Sequence, residues 1–218
     1  MHDLFIGLMS GTSLDGVDGV LADLGGASPA VLAHASRPFE PALRAELLAL
    51  NSPGGNELHR AWLAGNALMR VYAQVVAHLL SDSGVAAREV QAIGAHGQTV
   101  RHRPQAFDGT GYTIQLAQPA LLAELTGVRV VGHFRTRDVG PGGPGAPEMP
   151  AFHRAMFAAE GGSVGVLNIG GIANLTVLRP EQPLLGFDCG PGNALMDFWC
   201  SLHTGAAYDD DGRWAAQG

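Results

Sequence analysis

The sequence contains no lysine, and all 13 of its basic residues are arginines. Three classes of site depend on a lysine amine and are therefore excluded: a P-loop ending in Gly-Lys-Ser/Thr, the strand lysine of protein kinases, and a Schiff-base centre. Any phosphate group must be held by backbone N–H groups, by arginine or by a metal ion.

Cysteine is also scarce, with only Cys189 and Cys200 in the chain. One widely spaced pair implies neither a zinc site nor a disulfide framework. The first residues lack the basic segment of a signal peptide, and no apolar run reaches the length of a membrane-spanning helix. We therefore expect a cytoplasmic protein with no membrane partner.

Basic residues are also fewer than acidic ones: the sequence has 13 arginines and 20 acidic residues, and the net charge is −7. This balance argues against a nucleic-acid partner bound through a broad basic surface. Glycine, in contrast, is abundant at 31 of 218 residues. The glycines lie in short loops between apolar runs, which indicates tight turns or close approach of the backbone to a ligand.

One pattern occurs twice and predicts an α/β organisation. An apolar strand at Leu4–Met9 leads into a polar turn and a returning strand, and the same order begins again at Val164. Two copies suggest two related α/β halves that each offer a hairpin turn to a shared cleft. We expect a first domain over residues 1–150 and the beginning of a second, incomplete domain over residues 151–218.

Between the two copies, the chain is predicted to change from irregular structure to a helix at residue 150. Arg135–Pro150 is rich in glycine, proline and charge, which favours an irregular functional loop or a hinge. A helix over Ala151–Ala159 should follow it.

The first candidate site is the polar turn Ser10–Asp18. Successive backbone N–H groups and hydroxyls in such a turn can hold a phosphate chain. Asp15 and Asp18 supply the hard oxygen ligands that Mg²⁺ prefers. The alternative is a plain hairpin turn whose side chains only bond to their own backbone.

The second candidate site is Asp188, at the end of an apolar strand. Gly-Pro-Gly follows it, and a helix opens at Asn193. Such a carboxylate lies where α/β folds place reactive groups, beside the positive end of a helix dipole. It could accept a proton from water or from a substrate hydroxyl. The alternative is an aspartate that braces the turn.

Four further polar residues are candidates for substrate contacts. Arg135 and Arg137 can donate to a carboxylate or a phosphate, although a surface Arg–Asp pair would explain them equally. His96 and Gln98 follow a strand and could bind sugar hydroxyls, whereas a lone histidine is more often structural.

Taken together, these motifs resemble one family, the anhydro-N-acetylmuramic acid kinases of the actin, Hsp70 and sugar-kinase superfamily. The match is most specific in three long stretches, Gly7–Asp18, Leu167–Leu175 and Gly186–Asn193. Shorter stretches occur in family order at His96–Thr99, Pro119–Leu121, Phe134–Arg135, Arg137–Val139, Gly145–Pro147, Pro150–His153 and Tyr208–Asp209. The resemblance spans essentially the whole chain.

The resemblance implies a ribonuclease H-like (actin-like ATPase) fold, complete in the first domain and truncated in the second. It also implies an ATP-dependent, Mg²⁺-requiring kinase that adds water at C1 of 1,6-anhydro-N-acetylmuramic acid and phosphorylates O6. In this interpretation Asp188 is the general base, and a homodimer is compatible with the family. The nucleotide-binding residues would be Gly11, Thr12, Ser13, Leu14, Asp15, Gly16, Val17 and Asp18 in the first turn, and Asn168, Gly170, Gly171 and Asn174 in the second.

Two departures from the family pattern keep other interpretations open. The sequence is shorter than family members, which indicates a fragment or a truncated product with an incomplete nucleotide site. Four positions also differ from the usual family residues: Ala117, His133, Pro144 and Glu148. The alternatives are a related kinase of another amino sugar, or a non-catalytic remnant that binds a sugar or a partner protein.

Overall fold

The computed structural model describes residues 3–26, 28–158 and 161–218. The chain divides into two compact units, which we call unit 1 (Met1–Gly145) and unit 2 (Ala146–Gly218). The assignment of the two regions as a first and a second actin-like domain stays a prediction.

Unit 1 contains a mixed five-stranded sheet with the spatial order β3-β2-β1-β4-β7. β1, β2 and β3 form an antiparallel meander, whereas β4 and β7 extend the sheet in parallel with β1. A separate antiparallel hairpin joins β5 and β6. The strands are β1 (Leu4–Met9), β2 (Gly16–Asp23), β3 (Ala30–Pro38), β4 (Val90–Ala95), β5 (Gln98–Pro104), β6 (Gly111–Leu116) and β7 (Val130–Val131).

The core of unit 1 lies between this sheet and one long helix. Alternate residues of β1 are buried, as period-2 patterning predicts for a strand with one face on a core. Helix α2 buries a stripe at helical spacing that includes Leu68, Tyr72, Val75 and Leu79. The helices of unit 1 are α1 (Pro41–Ala49), α2 (Glu57–Ser83), α3 (Pro119–Thr126) and α4 (Phe134–Val139), with a 3₁₀ turn at Ala87–Glu89.

Unit 2 is built on an antiparallel sheet of three strands in the order β10-β9-β8. Helix α5 packs on it, and His153 of that helix is hydrogen-bonded through Nδ1 to Oγ1 of Thr176 on β9, at 2.8 Å. The elements are α5 (Pro150–Phe157), β8 (Val164–Ile169), β9 (Ile172–Leu178), β10 (Leu185–Pro191) and α6 (Asn193–Thr204), with 3₁₀ turns at Asp210–Gly212 and Ala215–Gln217.

The predicted α/β class is confirmed as an α/β fold with a mixed sheet, but three local predictions need correction. The segment after Arg135 begins as helix α4, because no glycine or proline interrupts it before Gly140. Strand β10 continues past Asp188 to Pro191. The helix predicted over Ala151–Ala159 ends at Phe157, and Ala159 lies outside the described residues.

The longest helix, α2, has 27 residues but carries charged side chains along its exposed face. Within the described ranges, no helix combines the length and the apolar composition that crossing a bilayer requires.

Gly19 allows β2 to approach α2 closely, and this contact generates a stability prediction. A Cβ at this position would lie 2.5 Å from Cγ1 of Val75, a fully buried side chain. We expect Gly19→Ala to lower the free energy of unfolding by about 1–3 kcal/mol through overpacking, measured by denaturant titration.

Two further variants test the cause. Gly55→Ala is the matched control, because its Cβ would meet nothing within 4 Å. Val75→Ala removes the clashing methyl, so the double variant should lose less stability than the sum of the two single losses. A strictly additive loss would show that the Gly19–Val75 contact is not responsible.

Candidate functional site

Three segments of unit 1 meet at one edge of the sheet, where β1, β4 and β7 have their carboxyl ends. We call this place the carboxyl edge. The three strands run parallel, so the residues that follow each of them emerge on the same side. In α/β sheets, ligands bind outside the carboxyl ends of the strands. The segments that follow are Ser10–Asp15, His96–Gly97 and α4.

The first segment is a turn that is anchored to the core of unit 1. Leu14 adopts a positive φ of 56°, and its side chain is buried in the core. Its N–H donates to the Gly11 carbonyl at 3.3 Å, and its own carbonyl accepts from Nε of Arg44 at 3.0 Å. The turn is therefore held by a hydrogen bond within its backbone, by the Arg44 side chain and by the burial of Leu14.

The outer side of this turn presents exposed polar groups, both donors and an acceptor. Thr12, Ser13 and Asp15 are exposed. Ser13 Oγ and the N–H of Gly16 donate to the Asp15 carboxylate at 2.9 and 3.0 Å, as a self-bonded hairpin would. The N–H groups of Thr12 and Ser13, however, donate to no other described residue. Two adjacent N–H groups of this kind can bind an anion.

Side-chain hydrogen bonds join the first segment to the second. Gln98 donates through Nε2 to the Gly11 carbonyl at 3.1 Å, and Ser10 Oγ donates to the Gly97 carbonyl at 3.2 Å. Gly97 has a φ of +79°, and a Cβ there would lie 2.5 Å from the Leu116 carbonyl oxygen, so glycine is required. The structure thus brings together two motifs that are far apart in the sequence.

Arg135 joins the third segment to the second. Its Nε donates to Nε2 of His96 at 2.9 Å, and Nη1 donates to the Gly145 carbonyl at 2.8 Å. Asp138 closes the loop by accepting from the N–H of Gly145 at 2.7 Å. Arg137 is two positions further along α4, and residues at that spacing do not share a helix face. Its exposed side chain therefore does not accompany Arg135.

In unit 2, strand register aligns the other predicted residues in one row. Asn168 on β8 pairs directly with Asn174 on β9, and Asn174 pairs with Asp188 on β10. Directly opposite residues share a face and have Cβ atoms about 4.5–5.5 Å apart. Thr176, two residues from Asn174, lies on that same face and contacts α5. Asp188 is thus an exposed carboxylate directly beside Asn174, with Asn168 one strand further along the row.

The β8–β9 turn is bonded to the start of α6. The carbonyls of Gly170 and Gly171 accept from the N–H groups of Asn193 and Gly192 at 2.8 and 2.9 Å. A Cβ on Gly192 would lie 2.1 Å from the Gly170 oxygen, which requires glycine there. These first N–H groups of α6 are consequently engaged by the turn.

The predicted Mg²⁺ ligands lie on the first turn and on β2. Asp18 is exposed, and its Oδ1 lies 3.8 Å from Nε2 of His34 on the neighbouring strand. Within residues 3–26, 28–158 and 161–218, no three His, Cys, Asp or Glu side chains gather as a metal cluster. Two carboxylates are nonetheless the donor set that suits Mg²⁺, which usually keeps waters and substrate phosphates as its remaining ligands.

Sequence reasoning missed Tyr72 as part of the site. Its position in the apolar stripe of α2 predicts a core residue, and the ring is fully buried. Its hydroxyl, however, lies 3.2 Å from Oγ of Ser10 and supports the first turn from the helix. Burial raises the pKa of Tyr72 from 10.0 to about 12. The available signal was a tyrosine where phenylalanine would fill the stripe equally well.

Comparison with known proteins identifies the relatives of this chain. The model of the family described as anhydro-N-acetylmuramic acid kinase matches residues 3–218. The curated anhydro-N-acetylmuramic acid kinase of Variovorax paradoxus is 65% identical over 221 residues, which cover 99% of this chain and 59% of that protein. That of Bordetella petrii is 63% identical, covering 99% and 56%. The chain thus spans little more than half the length of these relatives.

Solved structures show likeness in fold alone. A reductive activator for corrinoid, iron–sulfur protein has a TM-score of 0.50 at 13% identity, covering 90% of this chain and 31% of that one. The Aquifex aeolicus member of the Ppx/GppA family has a TM-score of 0.46 at 11% identity, covering 91% and 54%.

The buried hydroxyl of Tyr72 predicts a loss of stability at alkaline pH. The unfolded chain releases this proton near pH 10 and the folded chain near pH 12. The contribution is therefore fully present below pH 10 and decreases by about 1.4 kcal/mol for each unit between the two values. Denaturant titrations across this range should show the slope, and Tyr72→Phe should remove it.

The matched control is Tyr112→Phe, because Tyr112 is 39% exposed and phenylalanine keeps its stacking on Phe107. At neutral pH, Tyr72→Phe should also cost about 1 kcal/mol for the lost hydrogen bond to Ser10. An unchanged alkaline slope in Tyr72→Phe would contradict the assignment.

Proposed function

The chain belongs to the anhydro-N-acetylmuramic acid kinase family, and on this premise we propose that the protein is an ATP-dependent kinase of 1,6-anhydro-N-acetylmuramic acid. Its product would be N-acetylmuramic acid 6-phosphate, formed in recycling of the cell wall. The observation that carries the proposal is the family match over residues 3–218. Activity is proposed and not inferred directly, because the chain covers only 59% of its Variovorax relative.

The reaction needs a base and a phosphoryl donor. Water adds its oxygen to C1, the C1–O6 bond breaks, O6 takes the γ-phosphoryl group of ATP, and ADP leaves. The attacking water must lose a proton. We propose that the carboxylate of Asp188 accepts this proton as the general base. The exposure of Asp188 and its place directly beside Asn174 support this role, since an amide can hold a water or a sugar hydroxyl next to the base.

The phosphate chain of ATP is proposed to lie on the first turn, over Gly11–Asp18. Support comes from the exposed hydroxyls and the two available N–H groups of Thr12 and Ser13. They do the work that a P-loop lysine does in other nucleotide-binding proteins, which this sequence cannot use. We assign the second turn, with Asn168, Gly170, Gly171 and Asn174, as its counterpart in unit 2.

Mg²⁺ would be held by Asp15 and Asp18, and when bound it would neutralise charge on the phosphate oxygens. The carboxylate of Asp15 is already oriented by Ser13 and by the N–H of Gly16, so it needs little ordering to act as a ligand.

The sugar is proposed to contact the carboxyl edge, where His96, Gln98 and Arg135 converge, with Arg137 as a neighbouring cation. Support comes from the buried amide of Gln98, whose Oε1 has no partner within the described ranges. An orphaned acceptor costs about 1–3 kcal/mol. Such a cost is typical of functional sites, where a donor from the substrate can recover it.

Three further parts of the proposal concern the fold family, the cellular location and the oligomeric state. The strand order of unit 1 supports an actin-like ATPase architecture. The free thiols of Cys189 and Cys200 support a reducing, cytoplasmic location. A homodimer is proposed from family resemblance, and sedimentation velocity would decide it.

A chimera tests the proposed activity directly. The Variovorax relative is 65% identical over the aligned region, so residues 1–218 of this chain can replace that region in the relative. We expect sugar-dependent ADP release from the chimera with 1,6-anhydro-N-acetylmuramic acid and Mg²⁺-ATP. An inactive but folded chimera beside an active relative would refute the proposal for this chain, whereas activity only with another amino sugar would redirect it.

Asp188→Asn in the same chimera tests the base. The change keeps volume and removes the basic carboxylate, so kcat should fall by about 10²–10⁴ while the unfolding temperature is retained. Asp211→Asn is the matched control, because Asp211 is an exposed acid whose φ of 57° asparagine tolerates well. Near-normal turnover in Asp188→Asn would remove Asp188 from the mechanism.

A further inference from the structure

Helix α1 begins beside the first turn. β3 runs antiparallel to β2, and β2 runs antiparallel to β1, so β3 also ends at the carboxyl edge. Gly16 is paired with Pro38, and the N–H of Phe39 donates to the Asp15 carbonyl at 3.1 Å. Because α1 begins three residues after β3 ends, its first turn lies alongside the segment to which we assign the phosphate chain.

Arg44 of α1 is anchored to this turn by one of its donors. Its Nε donates to the Leu14 carbonyl at 3.0 Å, and the residue is exposed. Within residues 3–26, 28–158 and 161–218, the guanidinium has no other hydrogen-bond partner and forms no ion pair. The two Nη groups, which carry the remaining N–H donors of the side chain, are therefore available to a ligand.

The charge of the first turn makes a cation necessary if a polyphosphate binds there. The N–H groups of Thr12 and Ser13 contribute only partial positive charge, whereas Asp15 and Asp18 carry full negative charges that repel phosphate oxygens. Mg²⁺ held by the two carboxylates would offset part of this repulsion. The sequence has no lysine, so a permanently charged side chain at this place must be an arginine.

We propose that Arg44 is a phosphate-binding residue, whose guanidinium is fixed by Leu14 through Nε and presents its Nη groups to the polyphosphate chain. This inference rests on the proposed function, because it takes the first turn as the nucleotide site. Paired N–H groups of a guanidinium match two phosphate oxygens, and such charge-assisted hydrogen bonds are stronger than neutral ones. Arg44 thereby supplies the positive charge that a P-loop takes from its lysine.

The competing role for Arg44 is structural: its Nε bond would only stabilise the positive φ of Leu14. Two substitutions separate the roles. Arg44→Gln places an amide N–H group at the position of Nε, so it keeps the donor to Leu14 but loses the charge and the Nη groups. Arg44→Lys keeps the charge but has a methylene at that position. A phosphate-binding role and a structural role therefore predict opposite orders of the two variants.

The experiment is a titration of the isotope-labelled chain with inorganic tripolyphosphate, without Mg²⁺, followed by NMR. We expect the amide resonances of Thr12 and Ser13 to shift to saturation. Arg44→Gln should weaken binding by about tenfold or more, whereas Arg44→Lys should retain most of the affinity. In the ligand-free Arg44→Gln variant, the same two resonances should stay near their original positions, because the donor to Leu14 is kept.

Arg88→Gln is the matched control for net charge. Arg88 is also exposed, but it precedes β4 and so lies at the opposite edge of the sheet. An equal loss of affinity in Arg88→Gln would show a general charge effect and overturn the proposal. So would full affinity in Arg44→Gln, a greater loss in Arg44→Lys than in Arg44→Gln, or displaced turn resonances in the ligand-free Arg44→Gln variant. A chain that binds no tripolyphosphate would overturn it as well.

The chimera separates this inference from the proposed function. There, Arg44→Gln should raise KM for ATP and leave KM for the sugar unchanged. An active chimera whose KM for ATP is unaffected by Arg44→Gln would overturn the inference and leave the proposed function intact. If the chain binds tripolyphosphate through Arg44 while the folded chimera is inactive, the proposed function fails and the phosphate site stands.

Discussion

The parallel pairing of β1 with β4 is the constraint on which the rest of unit 1 depends. Parallel strands cannot be joined by a tight turn, so the chain between them must cross over one face of the sheet. That crossover carries α2, whose buried stripe forms the core with the inner face of the sheet. The same pairing puts the end of β1 beside the end of β4, which makes Ser10 a neighbour of Gly97.

Much of the fold could be predicted because burial on one face leaves a periodic trace in the sequence. β1 occurs with the predicted bounds Leu4–Met9, and β8 begins at the predicted Val164. Helix α2 buries an apolar stripe at helical spacing. Helix α4 was missed because the glycines and prolines that follow it dominate the composition of its segment. The composition of that segment combines two parts with different structures. The first part is a short helix, and the second is the loop that Asp138 closes.

The candidate site was predictable by residue type but not by partnership. Asn168, Asn174 and Asp188 can each be chosen from local motifs, yet their alignment depends on strand register, which a one-residue slip would change. Tyr72 and Arg44 act on the first turn from two helices, and no local pattern relates them to it. His96 shows a different limit. Its residue type suggests a ligand contact, whereas the structure also shows a hydrogen bond from Arg135, which lies 39 residues further along the chain.

The bulge in β10 has a consequence for how this part of the chain can vary. Asp188 pairs with Asn174 and Gly190 pairs with Ala173, so Cys189 is an extra residue that has no opposite number on β9. Length changes elsewhere in β10 would turn the carboxylate to the wrong face or displace Gly192 from its turn. At the bulge, one surplus residue is already absorbed without either effect. Substitution of Cys189 therefore changes no strand pairing, whereas a change in the number of residues on either side of it would change the register that places Asp188 and Gly192.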